Sequence, residues 1–252
     1  KIAFLMDPLP SLNTKKDSTL AMINAAQKRG LEVFYLEQRD IFLSGDKTMG
    51  AFRTLEIDPQ VFNNNFMTNP GTSWYSLGVR TFMELSEMDI VMLRKDPPFN
   101  MNYIYTTYLL EKAEASGALV VNRPASIRDC NEKLFATSFS QCCPPLIVSS
   151  EKSRLLDFYK AEGNVVFKKL DGMGGDSVFR VMEDDPNANV IIETLTQKGY
   201  EPIMAQKFLP EIADGDKRIL MLDGQPIPYA LARIPSVGEA RGNLAAGGTA
   251  EA

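Results

Sequence analysis

Residues 165–181 read Val165-Val-Phe-Lys-Lys-Leu-Asp-Gly-Met-Gly-Gly-Asp-Ser-Val-Phe-Arg-Val181. The two flanks, Val165–Lys168 and Ser177–Val181, are rich in β-branched and aromatic residues and predict a pair of strands. Between them Asp171-Gly-Met-Gly-Gly-Asp176 turns one strand straight back into the next. Glycines let backbone N–H groups converge on phosphate oxygens with no Cβ in the way, and Lys168 adds a full positive charge. The segment is not a Walker loop, because the GxxxxGK[ST] order is absent and a strand follows instead of a helix. An ordinary β-hairpin with exposed glycines is the other reading of the same residues.

Downstream, Pro202–Gln206 and Arg218–Leu222 predict further strands, and Asp223-Gly224 predicts a hairpin turn into Ile227–Ala232. Gln206-Lys-Phe-Leu209 ends a strand at Pro210. Such a connection can offer backbone groups to an adenine edge while Phe208 or Leu209 packs on the ring, or it can be a buried strand end. Arg218 and Arg233 sit near the ends of neighbouring strands, where two guanidinium groups can face a transferring phosphoryl. The alternative is a solvated charged turn around Asp214-Gly-Asp-Lys-Arg218. From Arg233 to Gly248 the chain is small and polar, which suits either a mobile lid or a loose terminus.

Upstream the pattern changes. Ile2–Met6, Leu31–Leu36, Asp89–Leu93 and Ala118–Val121 are short apolar runs. Helical stretches alternate with them: one capped by Asp17-Ser18 and ending near Gly30, another over Tyr103–Ala115. This alternation predicts a parallel sheet covered on both faces, a small doubly wound domain over residues 1–122. Residues 45–80 lack a clear period and are expected to form a hairpin or long insertion. Asn122-Arg-Pro124 marks the expected domain boundary, and a helix is expected over Cys130–Phe139. Asp7 after the first apolar run, with Lys15-Lys-Asp17, and Arg94-Lys-Asp96 after the third stand where open α/β sheets bind charged ligands, with capping or surface charge the other reading of the same residues.

Composition narrows the chemistry. The 252 residues are 44% apolar and 23% charged, enough to bury a core without staples, with a net charge of −5. That balance gives no electrostatic reason to expect nucleic acid or an anionic membrane. Histidine is absent, which excludes a His-based triad, His-ligated zinc and a phosphohistidine carrier within these residues. Cys130, Cys142 and Cys143 have neither zinc spacing nor an even count, and are expected to be reduced. Apolar runs are too short to span a bilayer, so a cytoplasmic location is expected.

Taken together the segments resemble bacterial glutathione synthetases, members of the ATP-grasp carboxylate–amine ligases. The resemblance rests on Met6-Asp-Pro8 with Lys15-Lys-Asp-Ser18, Arg94-Lys-Asp-Pro-Pro-Phe99 and Arg128-Asp-Cys-Asn-Glu-Lys-Leu-Phe135. It continues through Leu170-Asp-Gly-Met-Gly-Gly175, Met204-Ala-Gln206, Asp214-Gly-Asp-Lys-Arg218, Leu231-Ala-Arg-Ile-Pro235 and Arg241-Gly-Asn-Leu-Ala-Ala-Gly-Gly248. It implies an α/β chain: a doubly wound N-terminal domain (1–122), then an ATP-grasp α+β domain (123–252) lacking its C-terminal part. The ATP-grasp part divides into a lid subdomain over 123–203 and the start of a second subdomain over 204–252.

The implied activity joins γ-glutamylcysteine to glycine with ATP and Mg²⁺, or Mn²⁺ in its place, through an acyl phosphate. By the same resemblance Lys133 and Lys168 contact ATP phosphates under the loop of Asp171, Gly172, Gly174, Gly175 and Ser177. Gln206, Lys207, Phe208 and Leu209 frame the adenine, and Asp216 lies near the ribose. Arg218 and Arg233 stabilise the charge in transfer. Asp7, Lys16, Arg94 and Asp96 face the substrates, and Arg241 and Asn243 belong to the lid. Lys169 and Lys207 stand where relatives favour Pro and Asn. The Mg²⁺ carboxylates are expected beyond Ala252, so the chain reads as a piece of a longer protein, and a homo-oligomer is expected. Another ATP-grasp peptide ligase, or nucleotide binding without turnover, are the competing readings.

Overall fold

A computed structural model describes residues 1–15, 17–62, 73–95, 98–236 and 247–251. Two compact units divide the chain between Cys130 and Asn131.

In the first unit every residue of β1 (Ile2–Leu5) is buried, as a central strand requires. The chain then forms α1 (Ser18–Lys28), whose N-terminus is capped by the Asp17 carboxylate accepting from the Leu20 amide at 2.9 Å. Next come β2 (Val33–Leu36), β3 (Ile41–Ser44) and the eleven-residue β4 (Lys47–Ile57). The edge strands β5 (Tyr75–Leu77) and β6 (Thr81–Glu84) lead to β7 (Ile90–Leu93), α2 (Met101–Ala115), β8 (Leu119–Val121) and α3 (Pro124–Asp129). The strand order is β3-β4-β2-β1-β7-β8, with β5 and β6 also paired to β4.

Alternation along the strands divides the apolar side chains between two cores. Ala3, Leu5, Phe34, Leu36, Val91 and Leu93 pack against Tyr103, Leu110 and Ala113 of α2. Ile2, Phe4, Val33 and Tyr35 pack on the other face, against Leu20, Ile23 and Ala26 of α1. The helices thus cover opposite faces, as the apolar runs imply. Parallel pairing joins β2, β1, β7 and β8, however, while β4 runs antiparallel to β2 and pairs antiparallel with β3, β5 and β6. The insertion over 45–80 supplies this antiparallel wing: a turn at Gly45-Asp46 joins β3 to β4, and β4 then carries β5 and β6.

The unit boundary falls eight residues beyond the expected one at 122/123 because α3 stays with the first unit. Arg128 donates to the Thr107 hydroxyl at 3.1 Å and to Glu111 at 2.5 Å on α2, and stacks on Tyr108. The helix expected over Cys130–Phe139 does not form. The Asn131 side chain accepts from the Lys133 and Leu134 amides, which turns the chain, and a 3₁₀ segment follows over Phe135–Cys142 with Phe139 outside helical geometry.

The second unit contains β9 (Leu146–Ser149), α4 (Lys152–Glu162), β10 (Val165–Lys169), β11 (Val178–Val181), α5 (Ala188–Leu195) and β12 (Ile203–Lys207). These strands form an antiparallel sheet in the order β11-β10-β12-β9. One face buries Val165, Phe167, Val181, Ile203 and Ala205 against Leu155 and Tyr159 of α4 and Ile192 and Leu195 of α5. A separate three-stranded sheet is built from β13 (Asp216–Leu222), β14 (Gln225–Ile234) and β15 (Thr249–Glu251). The Asp223-Gly224 turn joining β13 to β14 has φ of 48° and 74°, the geometry of a two-residue hairpin. Among the described residues no helix is long and apolar enough to cross a membrane.

Candidate functional site

The antiparallel sheet of the second unit has one helix-covered face and one face turned away. Since Val165 and Phe167 point into the core, alternation sends Val166 and Lys168 outward. The register brings Met204 opposite Lys168 and Gln206 opposite Val166. Arg180 faces Val166 from β11, and Leu146 and Val148 face Gln206 and Met204 from β9. The outward face therefore sets one amine and one carboxamide among apolar Leu146, Val148, Val166 and Met204, a surface suited to a flat ring bearing a charged tail. Lys168 Nζ donates to Gln206 Oε1 at 2.6 Å. Burial, followed by the nearby Lys133 ammonium, holds the Lys168 amine below the ordinary lysine value.

The glycine loop leaves this face directly after β10. Gly174 and Gly175 have φ of 64° and 87°, and Ser177 follows at 54°. The loop is thus held in conformations that side chains disfavour, its turn closed by the Asp176 amide donating to the Met173 carbonyl at 3.0 Å. Lys133 reaches it from the other side. Its Nζ donates to the carbonyls of Leu170, at 3.3 Å, and Gly172, while also pairing with Glu132 at 3.1 Å. Asn131 fastens the same place by donating to Leu170 O at 3.3 Å. Lys133, Lys168, Gln206 and the loop of Asp171, Gly172, Gly174, Gly175 and Ser177 are thereby brought to one locality. Two lysines beside a glycine-rich turn make a strongly anion-attracting corner.

The end of β12 is held as a platform. The Lys207 amide donates to Pro145 O at 2.9 Å, its Nζ pairs with Glu162 at 3.1 Å, and the Phe208 amide donates to Asn164 O at 2.9 Å. The Arg180 guanidinium lies 3.9 Å from the centre of the Phe208 ring, so one face of that ring is already covered. Leu209 is exposed.

Asp216 and Arg233 stand opposite one another on β13 and β14 and form a two-pronged ion pair at 2.7 and 2.6 Å. That bond raises the affinity of Arg233 for its proton. Arg218 lies two residues along β13, so it shares a face with Asp216, and it is exposed. Among the described residues no hydrogen bond or ion pair joins Arg218 or Arg233 to Lys133, Lys168 or Gln206.

In the first unit, Asp7 and Lys95 form a 2.7 Å ion pair at the carboxyl ends of β1 and β7. Both line a cleft of about 430 Å³ with Glu37, Gln38, Asn102 and Tyr105, at the place where the chain winds away from β1 in both directions. Arg94 is turned from that cleft toward the start of α1, donating to the Thr19 and Ser18 hydroxyls at 3.2 and 3.0 Å. Lys16, Asp96, Arg241 and Asn243 lie outside the described residues. Among the described residues no group of three or more His, Cys, Asp or Glu stands together as a metal site. The sequence reading gave Asn131 and Arg180 no place in the site and did not identify the apolar outward face, since only strand register and long-range contacts reveal them.

Residues 1–128 match the sequence model of the prokaryotic glutathione synthetase N-terminal domain, and residues 132–252 match that of the ATP-grasp domain of the same enzymes. The chain belongs to the prokaryotic glutathione synthetase family. Within that family it is 53% identical over 248 residues to the glutathione synthetase of Pseudomonas aeruginosa, covering 98% of this chain and 75% of that protein. It is 51% identical over 249 residues to the glutathione synthetase of Shewanella oneidensis, covering 99% of this chain and 76% of that one. Among solved structures, D-cycloserine synthetase DcsG aligns with a TM-score of 0.59 at 13% identity, over 93% of this chain and 68% of its own. A RimK-domain ATP-grasp protein from Sphaerobacter thermophilus aligns with a TM-score of 0.54 at 17% identity, over 87% of this chain and 67% of its own. At such identities these two speak for the ATP-grasp fold alone.

Proposed function

We infer that this glutathione synthetase family member joins γ-glutamylcysteine to glycine at the expense of ATP. The observation that carries the reading is the match, at about half identity along the whole chain, to curated glutathione synthetases. The γ-phosphoryl group passes to a carboxylate oxygen of the cysteinyl residue. The glycine amine then attacks the acyl phosphate carbon, inorganic phosphate leaves, and the amide forms with loss of the amine proton. No enzyme nucleophile is needed, in keeping with a chain that lacks histidine. Mg²⁺, or Mn²⁺ in its place, supplies charge neutralisation on the phosphate oxygens when bound.

The residues of the chain supply positioning and charge. Lys133 and Lys168 hold the phosphates beneath the loop of residues 171–177, and the outward face of β10 and β12 receives the base beside Gln206, Lys207, Phe208 and Leu209. Asp216 faces the ribose and holds Arg233, which with Arg218 offsets the charge developed during transfer. Asp7, Lys16, Arg94 and Asp96 serve the peptide substrate, Arg94 by bracing α1, and Arg241 and Asn243 exclude water from the acyl phosphate. The domains that carry these roles are residues 1–122 and 123–252, with α3 and its two caps, residues 123–130, grouped with the first. Exposed Met101 on α2 supports a homo-oligomer, the kinship to glutathione synthetases supports small-molecule partners, and the location we assign is the cytoplasm.

The test is ADP release with ATP, Mg²⁺ and γ-glutamylcysteine, with and without glycine, with glutathione followed directly. Glycine-dependent glutathione is the expected product. Turnover with another γ-glutamyl or dipeptide acceptor in preference would move the chain to a different ATP-grasp peptide ligase, and ADP binding without turnover would leave only the nucleotide half of the reading.

A further inference from the structure

A second hollow lies in the first unit, on the sheet face that carries α1. The end of β2, the turn after it, β4 and the residue before β6 enclose about 330 Å³, lined by Tyr35, Glu37, Arg39, Asp40, Arg53 and Arg80. Tyr35 and Arg53 face each other across the β2–β4 pairing. Three guanidinium groups here meet two carboxylates, and both carboxylates are already occupied. Glu37 accepts from the Tyr35 hydroxyl at 2.8 Å and from the Asp40 amide, and pairs with Arg39 at 3.0 Å. Asp40 accepts from the Glu37 amide at 2.9 Å and from Arg80 at 2.6 Å. Burial, ahead of the adjacent Glu37 carboxylate, raises the Tyr35 phenol, so Tyr35 remains a neutral donor to Glu37.

Among the described residues the Arg53 guanidinium has neither ion pair nor hydrogen-bond partner. Arg80 uses one nitrogen on Asp40 and is steadied by Phe82, whose ring centre lies 5.5 Å from its guanidinium carbon. A guanidinium carries five N–H donors, so most of the donors of Arg53 and Arg80 remain available. A recess lined by an excess of one sign concentrates its field and attracts the opposite charge.

We propose that this hollow is a binding site for a small anion presenting phosphate or carboxylate oxygens, held between Arg53 and Arg80 with Arg39 at the rim. None of Lys133, Lys168 and Gln206 lines this hollow. It shares Glu37 and Arg39 with the cleft at the ends of β1 and β7, so an anion seated there adjoins that cleft.

The test is calorimetric titration of the full chain at low ionic strength with inorganic phosphate and, in a separate arm, malonate. Arg53→Gln removes an exposed side chain without breaking a pair among the described residues, Arg80→Gln removes the second holder, and Arg154→Gln controls for general surface charge. Lys168→Met separates anion binding at the nucleotide corner. Binding that persists in Lys168→Met and in Arg154→Gln, yet weakens by about tenfold or more in Arg53→Gln, is the expected result. Preference for phosphate or for malonate would name the source of the oxygens, and either supports the site. Equal titrations in the unchanged chain and Arg53→Gln, a loss confined to Lys168→Met, or no binding to the unchanged chain would each overturn it. The outcome is independent of whether glutathione is formed.

Discussion

Replacing Lys168 by Met separates binding from stability at the nucleotide corner. The methionine keeps most of the apolar stem that lies on the outward face of β10 and removes only the amine. In the structure that amine makes one hydrogen bond, 2.6 Å to Gln206 Oε1, from a site whose burial already disfavours its charge. Loss of the bond and relief of the desolvated charge oppose each other, so stability should move by less than about 1 kcal/mol. A phosphate oxygen bonded to the same amine is a charge-assisted contact, with a loss of about 1.5–3 kcal/mol when it goes. That corresponds to roughly a tenfold to hundredfold rise in the dissociation constant for ADP. Calorimetric titration with ADP, beside a chemical unfolding curve, reads both quantities on one preparation. An ADP affinity within about twofold of the unchanged chain would remove Lys168 from the phosphate site. A fall of several kcal/mol in stability would instead refute the argument that desolvation offsets the Gln206 bond.

The same lysine predicts a pH dependence. A neighbouring anion favours its charged form, so ADP binding takes up a proton once the pH passes the lowered value of the free site. Affinity should therefore fall with rising pH beginning below the ordinary lysine range, and this slope should vanish in Lys168→Met, as titrations across alkaline pH will show. Asp216→Asn breaks the two-pronged pair with Arg233; on a partly exposed hairpin it should lower stability by about 1 kcal/mol or less, while glutathione formation falls more in kcat than in KM as Arg233 loses its orientation. Gly174→Ala meets open space but places a Cβ at a φ of 64°, so its cost should be conformational, about 1–2 kcal/mol, read as weaker ADP binding when the loop opens to avoid it. Phe167→Ala empties a fully buried position in the second unit and should cost about 3–5 kcal/mol in chemical unfolding.

Local chemistry accounts for what was legible without coordinates. The all-apolar β1, β2 and β7 runs announce a sheet covered on both faces, and the Asp17 cap, the Asp223-Gly224 turn and the strand–glycine–strand passage over 165–181 each act within a few residues. The resemblance carried the family because its motifs lie in order along nearly the whole chain. Local rules misled at Cys130–Phe139, where the chain turns at Asn131 and continues as a 3₁₀ segment broken at Phe139. They placed a hairpin or long insertion over 45–80 but not its pairing, because the direction of β4 depends on which edge of β2 it finds.

The sequence by itself determined which residues are apolar, where the chain turns, and which lysines and arginines are available for phosphate chemistry. Tertiary structure alone decided their company. Lys168 and Gln206 are 38 residues apart, and the β10–β12 register joins them. The β13–β14 register likewise sets Asp216 against Arg233, and the β2–β4 pairing gathers Arg53 beside Tyr35 in the arginine-lined hollow. A strand shifted by one residue would send each of these side chains to the opposite face. That register is set by burial of the whole apolar face, a property of the packed chain that no short segment contains.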